Sequence, residues 1–478
     1  MKGAPRKLGW LLLAAACLAG SGLIQRALDR QRPALGMSVT GADLKGAPPM
    51  LAFATVALGG FRGLIANALW IRAMRLQEED KFFEMAQLAD WITKLQPRLK
   101  QVWVVQAWNM SYNISVKFSE PEDRWRWVQR GIGLLRDEGL RYNPDEPLIY
   151  RELAWHFLHK LGQDLDDAHF YYKFQWAQEM TAVLGDQRDG YLALIAPATE
   201  EARNRAAVLR EKYKMDPAQM KKTDAEYGPL DWRLPETHAI YWAKLGLEKC
   251  RPQDLMPLRR MVYQSLLLSF QRGRLVMGRA GNRPILGPNL DIIPRAYAVY
   301  DQMAREEPAS ADNVRRAQRN FLRQAVEHLY AHNRQAEALR WFQVLREKYP
   351  DDPEVQAAAG DLDTFCLRRF TEAVSEAGRN RTQAIIEGYL RTAYLDLALD
   401  YDDRAEGLLV MARKIWLRYQ SGLGERNIGR LGLPELAEMS RLMLEQLLAP
   451  GALDPRLQEN LRLKTGAKTV PSPAANPP

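Results

Sequence analysis

The chain has 478 residues, 47% hydrophobic and 26% charged. That is an ordinary globular balance, which excludes general disorder and calls for two or three domains or one long solenoid. The formal net charge is +9, but Arg and Lys are interspersed with Asp and Glu, and no helix-turn-helix, RNA-recognition or zinc-finger pattern occurs. The basic balance therefore reads as a solvated surface, and no nucleic-acid partner is expected.

At the N-terminus, Lys2, Arg6 and Lys7 precede an apolar run from Leu8 to Ile24, and Arg26, Arg30 and Arg32 follow it. A basic start and an apolar run predict an uncleaved signal anchor over residues 1–24, a transmembrane or signal helix that leaves the body outside the cytoplasm, in the periplasm. Cleavage near Ala19-Gly20-Ser21, giving a secreted protein, is the second reading. Residues 25–50 read as a linker. The apolar patch Met50–Phe61 is too short to span a bilayer, is interrupted by Gly59-Gly60 and reads as the start of the folded body. Cys17, Cys250 and Cys366 allow at most one disulfide, and without a Cys-x-x-Cys a thiolate zinc centre is not expected.

The body predicts an all-α fold, because strand signals are nearly absent and helix signals recur. Ser119-Glu120-Pro121-Glu122 has the form of a capping box with Pro in the first turn. Asp216-Pro217, Asp352-Pro353 and Asp454-Pro455 each offer an N-cap followed by Pro. Leu433-Pro434 is a further start without the cap. Of the 13 Trp, most fall between Trp70 and Trp242, so large packed aromatic interfaces or an aromatic groove are expected there.

Further along, Ala317, Phe321, Leu322, Ala325, Val326 and Leu329 form one stripe of period 3.6. After His332-Asn333-Arg334 a second stripe runs through Ala338, Phe342 and Leu345 to Pro350. The small residue, the aromatic four on and the Pro eight after that resemble the second helix of the tetratricopeptide repeat. The first helix has Leu322 and Val326 where that family has Trp and Gly. Weaker copies end at Pro97 and Pro144, with Trp103 and Ala107 at the Trp and Gly positions. Others begin at Pro147 and Leu165 and in the stripes Ile386–Leu397 and Leu408–Tyr419.

The resemblance implies helical hairpins stacked as a solenoid and binding of protein partners rather than catalysis. With the anchor, those partners would be other membrane or envelope proteins. The expected organisation is a Trp-rich helical-repeat domain over 51–250, a basic connecting segment over 251–310, a second repeat domain over 311–465 and a disordered tail over 466–478. An all-α core without repeats would give the same stripes.

On a concave repeat face, Trp103, Trp108, Tyr112 and Trp155 would grip a partner. The loop after residue 271 holds Arg272, Arg274, Arg279 and Arg283, suited to an acidic partner, phosphate or headgroups, or simply to solvent. It also holds the one predicted hairpin, around Arg274–Met277 and Arg283–Leu286.

Glu152, His156 and His159 fall at i, i+4 and i+7 beside the apolar stripe Ile149, Leu153, Phe157, Leu158 and Leu161. With His169 from the next helix they make an adequate shell for zinc or iron. Asp164 and Asp167 can equally be helix-capping residues. Asp231, Trp232, Glu236 and His238, with Arg233, could form a glycan site in which an acid protonates a leaving oxygen and a ring stacks on sugar. They could equally be a clamp between elements. No phosphate loop, dinucleotide fingerprint or nucleophile elbow occurs, so no cofactor and no catalytic residue are predicted.

Overall fold

The computed structural model describes residues 62–251, 255–276, 285–371, 376–423 and 429–467, with isolated positions between Gly20 and Gln31. The signal segment, the linker, the Met50–Phe61 patch, Arg279, Arg283 and the tail beyond residue 467 lie outside the described residues. The fold is all-helical, as the sequence predicts. Among the described residues no helix is long and apolar enough to cross a membrane, and Cys366 is a free, buried thiol.

The chain divides into two compact units at Asn109/Met110, not near residues 251–310. The first holds α1 (Arg62–Glu78), α2 (Phe82–Leu95) and α3 (Lys100–Trp108). Asp80 takes a left-handed φ of 56° in the turn between α1 and α2, which a short polar side chain tolerates. Ala66, Ala89, Ile92 and Val102 form one core cluster, and Ala73, Leu76 and Met85 another. Trp103 is 1% exposed, and its indole donates to the Pro97 carbonyl at 2.7 Å. It is a core residue of this unit, not the face residue the repeat pattern predicts.

Three wide π-helical turns follow: Asn109–Ile114, which starts at the last residue of the first unit, and Leu134–Gly139 and His156–Gly162 in the second. They surround α4 (Pro121–Gly133) and α5 (Pro147–Trp155). Then come α6 (His169–Leu184), α7 (Glu200–Glu211), α8 (Pro217–Tyr227), α9 (Pro235–Leu247) and α10 (Leu255–Arg272). Asp216 caps α8 by accepting from Gln219 N at 3.3 Å. At α4 the predicted capping box does not form: Pro121 takes the first turn, but Glu120 makes no cap bond.

α9 packs on both α5 and α10. A Cβ at Gly246 would sit 2.7 Å from Tyr150 Cβ, so the α5–α9 contact depends on the missing side chain. Packing across three intervening helices departs from the nearest-neighbour stacking of a solenoid.

The short antiparallel hairpin joins β1 (Arg274–Val276) to β2 (Ile285–Gly287), with Leu275 opposite Leu286. β1 falls within the predicted Arg274–Met277, whereas β2 starts two residues after the predicted Arg283 and ends one after Leu286. Gly273 makes the handover from α10, because a Cβ there would lie 2.2 Å from the Ser269 carbonyl oxygen.

The remaining helices are α11 (Ile293–Glu306), α12 (Ala311–Ala331), α13 (Gln335–Lys348), α14 (Pro353–Ala357), α15 (Leu362–Thr371), α16 (Glu376–Ala398), α17 (Asp402–Ser421), α18 (Leu436–Leu448) and α19 (Pro455–Thr465). α12 packs on α13 and α16 on α17. The two stripes of the α12–α13 pair are buried: Phe321, Leu322, Ala325, Val326 and Leu329 on one helix, Ala338, Phe342 and Leu345 on the other. Asp352 and Asp454 cap α14 and α19 as predicted, whereas α18 starts two residues after Pro434.

Candidate functional site

The strongest candidate is a cleft of about 440 Å³ in the second unit. It is lined by Tyr112, Val116, Arg124, His159, Lys160 and Leu165 with Asp166 and Asp167. Two π-helical turns build it. One carries Tyr112, the other His159 and Lys160. A wide turn inserts a residue and rotates the side chains that follow, and such turns collect at functional positions.

The Tyr112 hydroxyl lies 3.1 Å from His159 Nδ1. Trp155 stacks on the same imidazole at 4.2 Å. Burial raises the Tyr112 phenol far above its ordinary range, so it stays protonated. Burial, then the neighbouring Lys160 charge, lowers His159, so its imidazole is neutral at pH 7. A neutral imidazole accepting at Nδ1 carries its proton on Nε2. With the Tyr112 hydroxyl donating to Nδ1, Nε2 holds the proton and has no protein partner among the described residues, and the ring lines the cleft.

The floor is charged but paired. Lys160 Nζ donates to Asp166 at 2.5 Å and sits over the Tyr112 ring at 5.0 Å. Arg124 bonds Asp166 at 3.2 Å and also Asp167. The Tyr172 hydroxyl and the Ala168 backbone amide complete the shell of Asp166 at 3.2 and 2.9 Å. Burial would raise the Asp166 carboxyl, but the bonds from Lys160 and Ala168 outweigh it and hold it down at about 2. Burial lowers Lys160 against the pull of Asp166. The rim is apolar: Val116 is 47% and Leu165 64% exposed. An open apolar rim over a neutralised polar floor suits an extended peptide better than bond-breaking chemistry.

The other predicted groups fall elsewhere. Glu152, His156, His159 and His169 do not assemble as a metal set. Among the described residues no three His, Cys, Asp or Glu side chains are placed to share an ion. Glu152 is held by Arg151, and buried His156 turns Nδ1 to the Glu152 carbonyl at 2.7 Å. His169 contacts Asp164 and Lys173. Asp164 does not cap a helix. It takes both oxygens to Arg272 Nη1 at 2.7 Å and also bonds Lys173 at 2.7 Å. Arg272 bonds the Gly162 carbonyl as well, so it fastens the end of α10 to the turn after His156–Gly162 and is not a free cation.

Asp231, Trp232, Glu236 and His238 form a buried clamp, and the burial overturns their reading as a glycan site. Trp232 has no exposed ring face for a sugar. Asp231 grips Arg233 at 2.8 and 2.7 Å and accepts from the Leu275 amide at 3.0 Å. Arg233 reaches the Leu275 carbonyl at 3.2 Å and also the Asp186 carbonyl. Three distant stretches are thereby pinned together, with Ala177, Leu234, Leu275 and Leu286 packed around them. Arg274 instead lines a separate pocket of about 210 Å³ with His332, Arg334 and Arg404. Trp108 is exposed on the first unit.

Sequence reasoning named Tyr112, Trp155 and His159 for two different sites, and the structure brings them together. It missed Val116, Arg124 and Lys160 as cleft residues. Arg124 and Lys160 read as ordinary surface charges at helical spacing. The one available signal was the density of Asp in Asp164–Asp167, which needs cations to balance it. Compared with protein-family models, curated proteins and solved structures, the chain gives no significant match.

Proposed function

We propose that this protein is a helical scaffold that binds a protein partner, and that a peptide segment of the partner enters the Tyr112–His159–Leu165 cleft. One observation carries the reading: a cleft lined by the His159 imidazole, with exposed Val116 and Leu165 at its rim. The His159 Nε2–H matches a peptide carbonyl, and Val116 and Leu165 match apolar side chains on either side of it. Support for a tetratricopeptide-like character comes from the α12–α13 pair, where Ala338 and Phe342 are fully buried at the positions the family fills. The apolar run Leu8–Ile24 between basic flanks supports a tether to a membrane with the body outside the cytoplasm. The partners would then be envelope or membrane proteins.

The test is co-purification from native membranes in mild detergent, comparing wild type with Val116→Asp/Leu165→Asp. A control, Val208→Asp, alters an exposed apolar residue of α7. A stoichiometric partner present with wild type and the control but absent with the double variant is the expected result. The same partner retained by all three would overturn the assignment of the cleft.

A further inference from the structure

We propose that the loop over residues 162–167, which carries Leu165, Asp166 and Asp167 of the cleft, is a clasp closed by Arg272 and Lys173, and that ionisation of the buried Glu236 opens it. As regulation of binding this rests on the cleft reading; the clasp itself does not.

Two helices hold the front half of the loop. From α10, Arg272 gives Nη1 to both Asp164 oxygens at 2.7 Å and Nη2 to the Gly162 carbonyl. From α6, buried Lys173 donates to Asp164 at 2.7 Å and to the Gln163 carbonyl at 3.1 Å. Burial would raise the Asp164 carboxyl, but the bonds from Lys173 and Arg272 outweigh it and hold it down at about 2. One carboxylate thus gathers two cations, and the same cations fix the backbone just before it. The rear half has its own hold, Lys160 on Asp166 and Arg124 on Asp166 and Asp167. Release of Asp164 would therefore free the stretch that ends at Leu165.

A second carboxyl competes for the same two cations. Glu236 opens α9, which packs on α10, and is 3% exposed. Its Oε1 and the Arg272 Nε are both buried without a partner. The charges that act on it are Arg272, Lys173 and Asp231, and Asp231 is committed to Arg233. The other elements packed on α9 turn their charged groups elsewhere. Glu152 of α5 pairs with Arg151, Lys160 of the π-helical turn with Asp166, and Glu226 of α8 with Lys244. His156 and His238 bond backbone carbonyls.

A protonated Glu236 makes no claim on either cation. Burial raises this carboxyl to about 7, so it ionises as pH passes through neutrality. A carboxylate cut off from water needs a cation beside it, whereas Asp164, with a side chain 54% exposed, is solvated once released. The rivalry then favours Glu236. Arg272 and Lys173 turn inward and leave Asp164 and the Gly162 and Gln163 carbonyls. By linkage, whatever holds the loop closed, a bound peptide included, keeps Glu236 protonated to higher pH.

The experiment uses the full chain in mild detergent, carrying Cys17→Ser and Cys250→Ser, with a nitroxide on Leu165→Cys. A control nitroxide goes on Leu442→Cys, exposed on α18. Electron paramagnetic resonance at pH 6 and pH 8 reads the mobile fraction at each site. Between these values the ionised share of a carboxyl at about 7 rises from about one tenth to about nine tenths. The mobile fraction at Leu165→Cys should grow severalfold with it, while the control stays constant. Glu236→Gln should keep the pH 6 spectrum at both values. That variant also separates Glu236 from His169, which touches Asp164 and Lys173 and which burial lowers below its ordinary 6.5. Asp164→Asn, at an exposed position, should give the mobile spectrum at both values. The proposal is overturned if the wild-type spectrum is the same at pH 6 and pH 8, if Glu236→Gln responds to pH as wild type does, or if the control site loosens equally. No partner enters this measurement, so the clasp and the cleft reading can fail separately: the spectra decide the first and co-purification the second.

Discussion

The Tyr112 hydroxyl and His159 Nδ1 lie 3.1 Å apart across 47 residues of sequence, and this contact sets which nitrogen of the imidazole faces the cleft. Tyr112 stays protonated because burial disfavours the phenolate, and with its hydroxyl donating to Nδ1 the neutral imidazole carries its proton on Nε2. Nitrogen NMR of wild type should therefore report the Nε2–H tautomer of His159 at pH 7. Tyr112→Phe should give a mixture of tautomers, cost about 1 kcal/mol in stability and weaken partner binding. An Nδ1–H tautomer in wild type would contradict the arrangement.

The Asp231–Arg233 pair makes a second prediction. Both side chains are buried and doubly bonded. Asp231→Asn leaves a buried guanidinium without its counter-charge and should cost about 3–5 kcal/mol, read as a lower urea midpoint. Asp231→Asn combined with Arg233→Met removes the orphaned charge and should recover part of that loss. If the double variant is as unstable as the sum of the two single ones, the pair is not coupled as described.

The indole of Trp103 and that of Trp108 separate core from surface within the first unit. Trp103 is buried and donates to Pro97, so Trp103→Ala should cost about 3–5 kcal/mol. Trp108 is 41% exposed, so Trp108→Ala should cost about 1 kcal/mol or less. Thermal unfolding of the two variants checks the contrast. Equal losses would place both rings in the core.

The helical class and much of the core were legible because period-3.6 stripes record burial directly. Ile149, Leu153, Phe157 and Leu161 are buried, as are the stripes of α12 and α13. The site was legible only in pieces. A helical wheel drawn over Glu152–His169 assumes 3.6 residues per turn, but His156–Gly162 is a wide turn. Both His156 and His159 pack against the Tyr112 ring there, at 5.7 and 5.8 Å between ring centroids, and only His159 bonds its hydroxyl. The clamp was misread for a different reason: Asp, Trp, Glu and His spell the same residues in a buried network as in an open sugar site. Only burial tells them apart, and it comes from α9 and the β-hairpin, the latter about 40 residues further on.

Glu236 and His238 give the pH dependence. Burial, partly offset by Arg272 and Lys173, raises the Glu236 carboxyl to about 7, and its Oε1 has no partner. Burial lowers His238 to about 4, against the bond its Nε2 makes with the Trp232 carbonyl. A raised acid contributes stability that is complete below its unfolded value of 4.5 and is lost as pH rises through about 7. A depressed base contributes stability present above 6.5 and lost as pH falls toward 4. The two terms oppose each other between pH 4.5 and 6.5, so wild type should change little there on their account. Glu236→Gln removes the first term alone. The variant should match wild type near pH 4.5 and exceed it by about 3 kcal/mol above pH 7, where wild type carries a buried carboxylate. Its stability should climb with pH between 4 and 6.5, following His238. Urea unfolding of both proteins at pH 4.5 and 7.5 makes the comparison. A gap of the same size at both pH values would mean that Glu236 does not titrate in this range in the folded chain.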